Sequence, residues 1–183
     1  MNKIKRVSLF FRIIFQIIFI ALPISLIASW IVAPSELVLL MGFIKFNAIP
    51  PPYSGGILHQ LSISEKIIGC LVSSIPMIIE MTILFFLIKL FKLYEKREIF
   101  SLRNVKTIRN IGYALLIAQL IDPIYQFVMG FVLTIHNPPH YHYAKITLDQ
   151  TNIGVLLTAL LVILISWIMA EGSKLREEQQ LTI

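Results

Sequence analysis

The stretch Leu84–Arg109, LFFLIKLFKLYEKREIFSLRNVKTIR, carries one apolar helix out into a cluster of cations and then into the start of a second apolar helix. Lys89, Lys92 and Lys96 recur at spacings of three and four, so they share a helix face, and Arg97, Arg103, Lys106 and Arg109 extend the cluster. Against these seven cations stand only Glu95 and Glu98. Lys and Arg accumulate in loops that stay on the cytoplasmic side of a membrane, so a basic connection between two apolar helices fixes which side it faces. The turn also has local grammar. Ser101 is placed to cap the following helix, while Phe100 before it and Val105 four residues after it are spaced as a hydrophobic staple.

The rest of the chain agrees with a lipid environment. A mean hydropathy of +0.81 and 57% hydrophobic residues in 183 are too apolar for a soluble domain of this size. A crossing needs roughly 20 helical residues, so the chain has room for about four crossings with short connections. The charge of +6 does not call for nucleic acid, because the cations sit where membrane topology places them. Cys70 is the one cysteine and lies in an apolar run, which excludes a disulfide framework or a CxxC site.

Outward from the hairpin, the sequence divides into helices at about residues 8–32, 64–95, 102–135 and 152–178, with outer loops 33–63 and 136–151 and a cytoplasmic hairpin at 96–101. The basic start, with Lys3, Lys5, Arg6 and Arg12, precedes an apolar run too long for a signal-peptide core. It reads as an uncleaved first span with Trp30 as an interface anchor at its outer end. Ser62-x-x-Glu65 is a capping box for the second span, and Pro76 within that span predicts a kink. Of 16 Lys and Arg, only Lys45, Lys66 and Lys145 fall outside. The expected fold is an all-α integral membrane protein, a single-domain four-helix transmembrane bundle with both termini cytoplasmic.

Two carboxylates, Glu80 and Asp122, lie near mid-span at comparable depth counted from the hairpin. An ionised acid at mid-bilayer costs at least about 2.5 kcal/mol, so such residues are expected to point into the bundle and are functional candidates. Gln119 and Gln126 flank Asp122 at helical spacing, and Gln16 adds a polar group to the first span. This set suits a proton or cation pathway; equally, polar side chains are common glue between membrane helices. His136, His140 and His142 crowd the second outer loop, where imidazoles serve either as metal ligands or as ordinary interface residues. No HExxH, GxSxG or phosphate-binding glycine loop is present, and neither an enzyme nor a cofactor is expected.

The hairpin and the tail resemble a family of small four-span bacterial membrane proteins known only as a domain of unknown function. The carrying residues are Leu90-Phe91, Tyr94, Glu98-Ile99-Phe100-Ser101, Asn104-Val105 and Ile111-Gly112, then Glu171-Gly172, Leu175, Glu178 and Leu181-Thr182-Ile183. Where the family commonly has glycine before Glu98, this chain has Arg97, which bears a steric cost in a left-handed turn that glycine avoids. The resemblance implies location in the bacterial cytoplasmic membrane and genes beside a helix-turn-helix regulator of the Xre type. By that analogy the chain is a non-enzymatic membrane partner or sensor for a cytoplasmic regulator, without direct nucleic acid binding of its own; a homo-oligomer is compatible with it. The expected partner surface comprises Tyr94, Arg97, Glu98, Phe100, Ser101, Arg103, Lys106 and Arg109 with the tail residues Glu171, Leu175, Glu178 and Leu181. The alternative is a small transporter or proton-coupled channel built on the midplane carboxylates.

Overall fold

A computed structural model of the chain describes residues 3–31, 62–96, 98–99, 101–135, 137 and 150–181, with the side chains at 150–151 and 175–181 outside that description. The described residues form four α-helices: α1 Lys3–Ile31, α2 Ile63–Glu95, α3 Leu102–Thr134 and α4 Gln150–Leu181. All four are long and apolar enough to cross a membrane. The helices continue past their apolar stretches into charged ends because Lys, Arg and Glu are good helix formers in water. Pro23, Pro76 and Pro123 lie inside helices that remain unbroken. Residues 33–61 and, apart from Asn137, 136–149, which make up most of the expected outer loops and hold His136, His140 and His142, lie outside the described residues.

The start of α2 is the predicted capping box. The Glu65 backbone N–H donates to Ser62 Oγ at 3.3 Å, and the Ser62 N–H donates to Glu65 Oε2 at 2.7 Å. Each side chain thus satisfies a backbone donor that the first turn would otherwise leave without a partner.

The chain divides into two compact units. One comprises Met1–Phe19, Ile79–Gln119 and Asp149–Ile183; the other comprises Ile20–Ile78 and Leu120–Leu148. In the second unit the core gathers on Trp30, Met129 and Leu133, with Leu26, Cys70, Val72 and Tyr125 packed against it. Trp30 is 7% exposed, so it is a core residue and not the interface anchor that its place near the end of α1 suggests. The reason is Gly69. A Cβ there would lie 2.6 Å from Trp30 Cζ3 and 2.8 Å from Cζ2, so the indole occupies the space a side chain would fill.

In the first unit, α1 and α2 meet through aromatic rings. Phe11 and Phe91 stack with centroids 5.3 Å apart, Phe15 lies 5.6 Å from Phe91, and Tyr94 meets Phe91 edge-on. In the same unit, α3 and α4 approach closely at Gly112. A Cβ at that position would lie 2.5 Å from Ile163 Cγ1 and 3.3 Å from the Ala159 carbonyl oxygen. Small residues at such a crossing let two membrane helices bring their backbones together, where dispersion replaces the hydrophobic effect as the adhesive.

Candidate functional site: the cationic hairpin

The hairpin between α2 and α3 is closed by backbone geometry. The last turn of α2 ends with N–H groups of Lys96 and Glu98 both donating to the Leu93 carbonyl, at 3.0 and 3.1 Å. The longer of these closures, from Glu98 back to Leu93, is the six-residue bond of a Schellman motif. Residue 97, between them, and Phe100 are outside the described residues, and the expected staple therefore lies outside them too; Val105 is 4% exposed.

The start of α3 is fixed from the other direction. Ser101 Oγ accepts from the Asn104 N–H at 3.2 Å, which is the N-cap the sequence predicts, and donates to the Glu98 carbonyl at 3.1 Å. Asn104 is fully buried and its Nδ2 donates to the Ile99 carbonyl, tying the helix to the turn that precedes it. Thr107, also buried, returns a bond to the Arg103 carbonyl. Leu90, Leu93, Val105, Ile111 and Ala114 supply the apolar base.

On this frame the charges separate. Lys89, Lys92, Lys96, Arg103 and Lys106 are exposed, Arg109 is half-buried, and Tyr94 and Glu98 are partly covered. Glu95 is turned away from its neighbours to Arg12 of α1, with Arg12 Nε 3.1 Å from Glu95 Oε1 and both side chains mostly buried. The Arg12 N–H is not aimed along that line, so the contact is an ion pair without a formed hydrogen bond. Its consequence is electrostatic: one of the two acids placed among the hairpin cations is engaged elsewhere. In the tail, Glu171 is exposed and pairs within its own helix with Lys174 at 3.4 Å, while the side chains of Leu175, Glu178 and Leu181 are outside the described residues.

The intramembrane candidates separate into different parts of the fold. Asp122 accepts a 2.7 Å hydrogen bond from Gln126 Nε2 one turn along α3, in the second unit. Glu80, Gln119 and Gln16 belong to the first unit. Glu80 lies nine residues before the exposed Lys89, about 2.5 turns away. That puts it on the opposite, inward face of α2, shared with the buried Leu84. It is nonetheless exposed, so this inward face does not close around the carboxyl. Gln16 is exposed and Gln119 half-buried. Among the described residues, no three of His, Cys, Asp and Glu assemble into a metal-binding group.

A family model with the description "Protein of unknown function (DUF2975)" matches residues 57–183, more than half of the chain. The chain belongs to the DUF2975 family. No curated protein and no solved structure matches it. The residues that carry the family resemblance in this DUF2975 protein have a common structural role. Leu90, Ser101, Asn104, Val105, Ile111 and Gly112 are the ones that cap, tie or pack the hairpin and the crossing of α3 with α4. No spacing or composition signals the Arg12–Glu95 pair or the seat of Trp30 on Gly69, because both depend on which helix faces meet. Gly112 was visible as a motif residue, but its cause, the approach of Ala159 and Ile163, required the fold.

Proposed function

We propose that this DUF2975 protein is a non-enzymatic partner, in the bacterial cytoplasmic membrane, for a cytoplasmic helix-turn-helix regulator, and that the hairpin is its docking surface. The observation that carries the reading is the separation just described. A frame held from within by Asn104, Val105, Thr107 and the Leu93–Glu98 closure presents Lys96, Arg103 and Lys106 to solvent, with Glu95 drawn off to Arg12. The held backbone sets where these exposed cations emerge, which favours a partner of complementary charge. A DNA-binding protein has a basic face for phosphates. A cationic hairpin would repel that face and accept an acidic one, which would leave the regulator's basic face turned away from the membrane protein. The α4 tail, with Glu171 exposed, adds a second strip of surface.

The test is fractionation. The helix-turn-helix protein encoded beside this chain should sediment with membranes when the chain is present and stay soluble when it is absent. Arg103→Glu with Lys106→Glu and Arg109→Glu should release it, with the variant still inserted in the membrane. Unchanged recruitment after that triple reversal, or the absence of any such neighbouring gene, would overturn the reading.

A second reading, proton- or cation-coupled transport, draws support from Glu80. It is a mid-helix carboxyl on the inward face of α2, accessible and with no hydrogen-bond or ion-pair partner among the described residues. Glu80→Gln should then abolish an ion flux measurable in proteoliposomes. A native protein that passes no flux under any imposed proton or cation gradient ends that reading.

A further inference from the structure

Along α2 the exposed side chains follow one stripe at spacings of three and four: Ile75, Ile78, Thr82, Phe85, Lys89, Lys92 and Lys96. Ile75, Ile78 and Phe85 are 48%, 58% and 54% exposed. On a helix long enough to cross a bilayer, a face of large exposed apolar side chains is the face that meets acyl chains. The same face therefore carries the three lysines to the level of the headgroups. They span seven residues, about 10 Å along the axis, and each has a flexible stem that can rise toward the phosphates.

Two further observations give this patch a ligand chemistry. Glu95 lies between the lysines in sequence but not on their face, since it points to Arg12. No described acid pairs with Lys89, Lys92 or Lys96, so the patch keeps its charge. Phe85, one turn before Lys89, extends the stripe with an apolar surface on which an acyl chain can lie while its headgroup stays with the lysines. Basic clusters on the cytoplasmic side of membrane helices, open to lipid, hold anionic headgroups.

We propose that Lys89, Lys92 and Lys96 form a binding site for an anionic phospholipid, with preference for a headgroup carrying two phosphates. Three cations spread along about 10 Å exceed what one phosphate can contact and match two phosphates joined by a short linker. The site shares Lys96 with the docking surface proposed above, but it rests on the apolar stripe of α2, whereas recruitment is tested on Arg103, Lys106 and Arg109 of α3, so the two can fail separately.

The test is competitive lipid retention on the full-length protein, purified in a neutral detergent and presented with equimolar cardiolipin, phosphatidylglycerol and phosphatidylcholine. Bound lipid is read by native mass spectrometry. The unaltered protein should retain cardiolipin over phosphatidylglycerol and both over phosphatidylcholine. Each lysine changed to Gln should weaken cardiolipin binding about fivefold, and the triple Gln variant on the order of a hundredfold. Two controls keep the outcome decisive. Lys89→Arg with Lys92→Arg and Lys96→Arg should retain binding, since charge is kept. Lys3→Gln with Lys5→Gln and Arg6→Gln removes equal charge from α1 and should change it less than fivefold. Equal loss in the α1 control, or no preference for anionic lipid in the unaltered protein, would overturn the site.

Discussion

The fit of Trp30 onto Gly69 gives the sharpest energetic prediction, because two opposing terms act there and one can be switched off. Placing a methyl group at Gly69 puts it 2.6 to 2.8 Å from two ring carbons, about 1 Å inside van der Waals contact. The indole is 7% exposed and clusters with Met129 and Leu133, both at 0% exposure, so moving it away from Gly69 disturbs a buried core. Overpacking of this kind costs about 1–3 kcal/mol, and the lack of slack favours the upper part of that range. Opposing it, alanine is better than glycine inside a helix by about 1 kcal/mol. Gly69→Ala should therefore destabilise the protein by a net amount of about 1–2 kcal/mol. When Trp30→Ala is already present, the clash is gone and the propensity term alone remains. The same Gly69→Ala change should then stabilise by up to about 1 kcal/mol, a reversal of sign. Reversible unfolding in mixed micelles, titrated with an anionic detergent and followed by far-ultraviolet circular dichroism, measures all four corners of the cycle. A Gly69→Ala variant as stable as the unaltered protein, or an effect of the same sign in both backgrounds, would refute the packing argument.

Two other changes report on the hairpin. Asn104→Ala removes the side-chain bond to the Ile99 carbonyl from a fully buried position and should cost about 1–3 kcal/mol, seen as faster proteolytic nicking near residue 99 in inside-out vesicles. With Cys70 replaced, Arg103→Cys should resist an impermeant maleimide in intact cells and react after permeabilisation, as the positive-inside rule requires. Labelling of intact cells would reverse the orientation assigned to the chain.

Much of the fold is legible in the sequence because the strongest rules are local or one-dimensional. Four apolar stretches, the Ser62–Glu65 box and the Ser101 cap follow from composition and from spacings of a few residues, and the helices appear as α1–α4 with both caps made. What could not be read is lateral. Trp30 sits at the end of its helix like an anchor, and its burial depends on a glycine 39 residues away presenting an open face. Glu95 reads as a member of the basic cluster until α1 brings Arg12 to it. For the candidate site, spacing alone groups Lys89, Lys92 and Lys96, whereas only the exposure of Ile75, Ile78 and Phe85 shows that their face is left uncovered by the described residues. Glu80 follows the same logic. Its mid-span position is plain in the sequence, but its place on an inward face that remains open is not.

A photo-crosslinking amino acid placed at the exposed Arg103 tests most directly whether the hairpin touches the proposed regulator. Where a helix-turn-helix protein is encoded beside this chain and both are made, ultraviolet exposure should join the two through position 103, while the same probe at Ile78, exposed on the apolar stripe of α2, should not. A crosslink that forms equally from Ile78, or none from position 103 although the regulator is membrane-bound, would contradict the account.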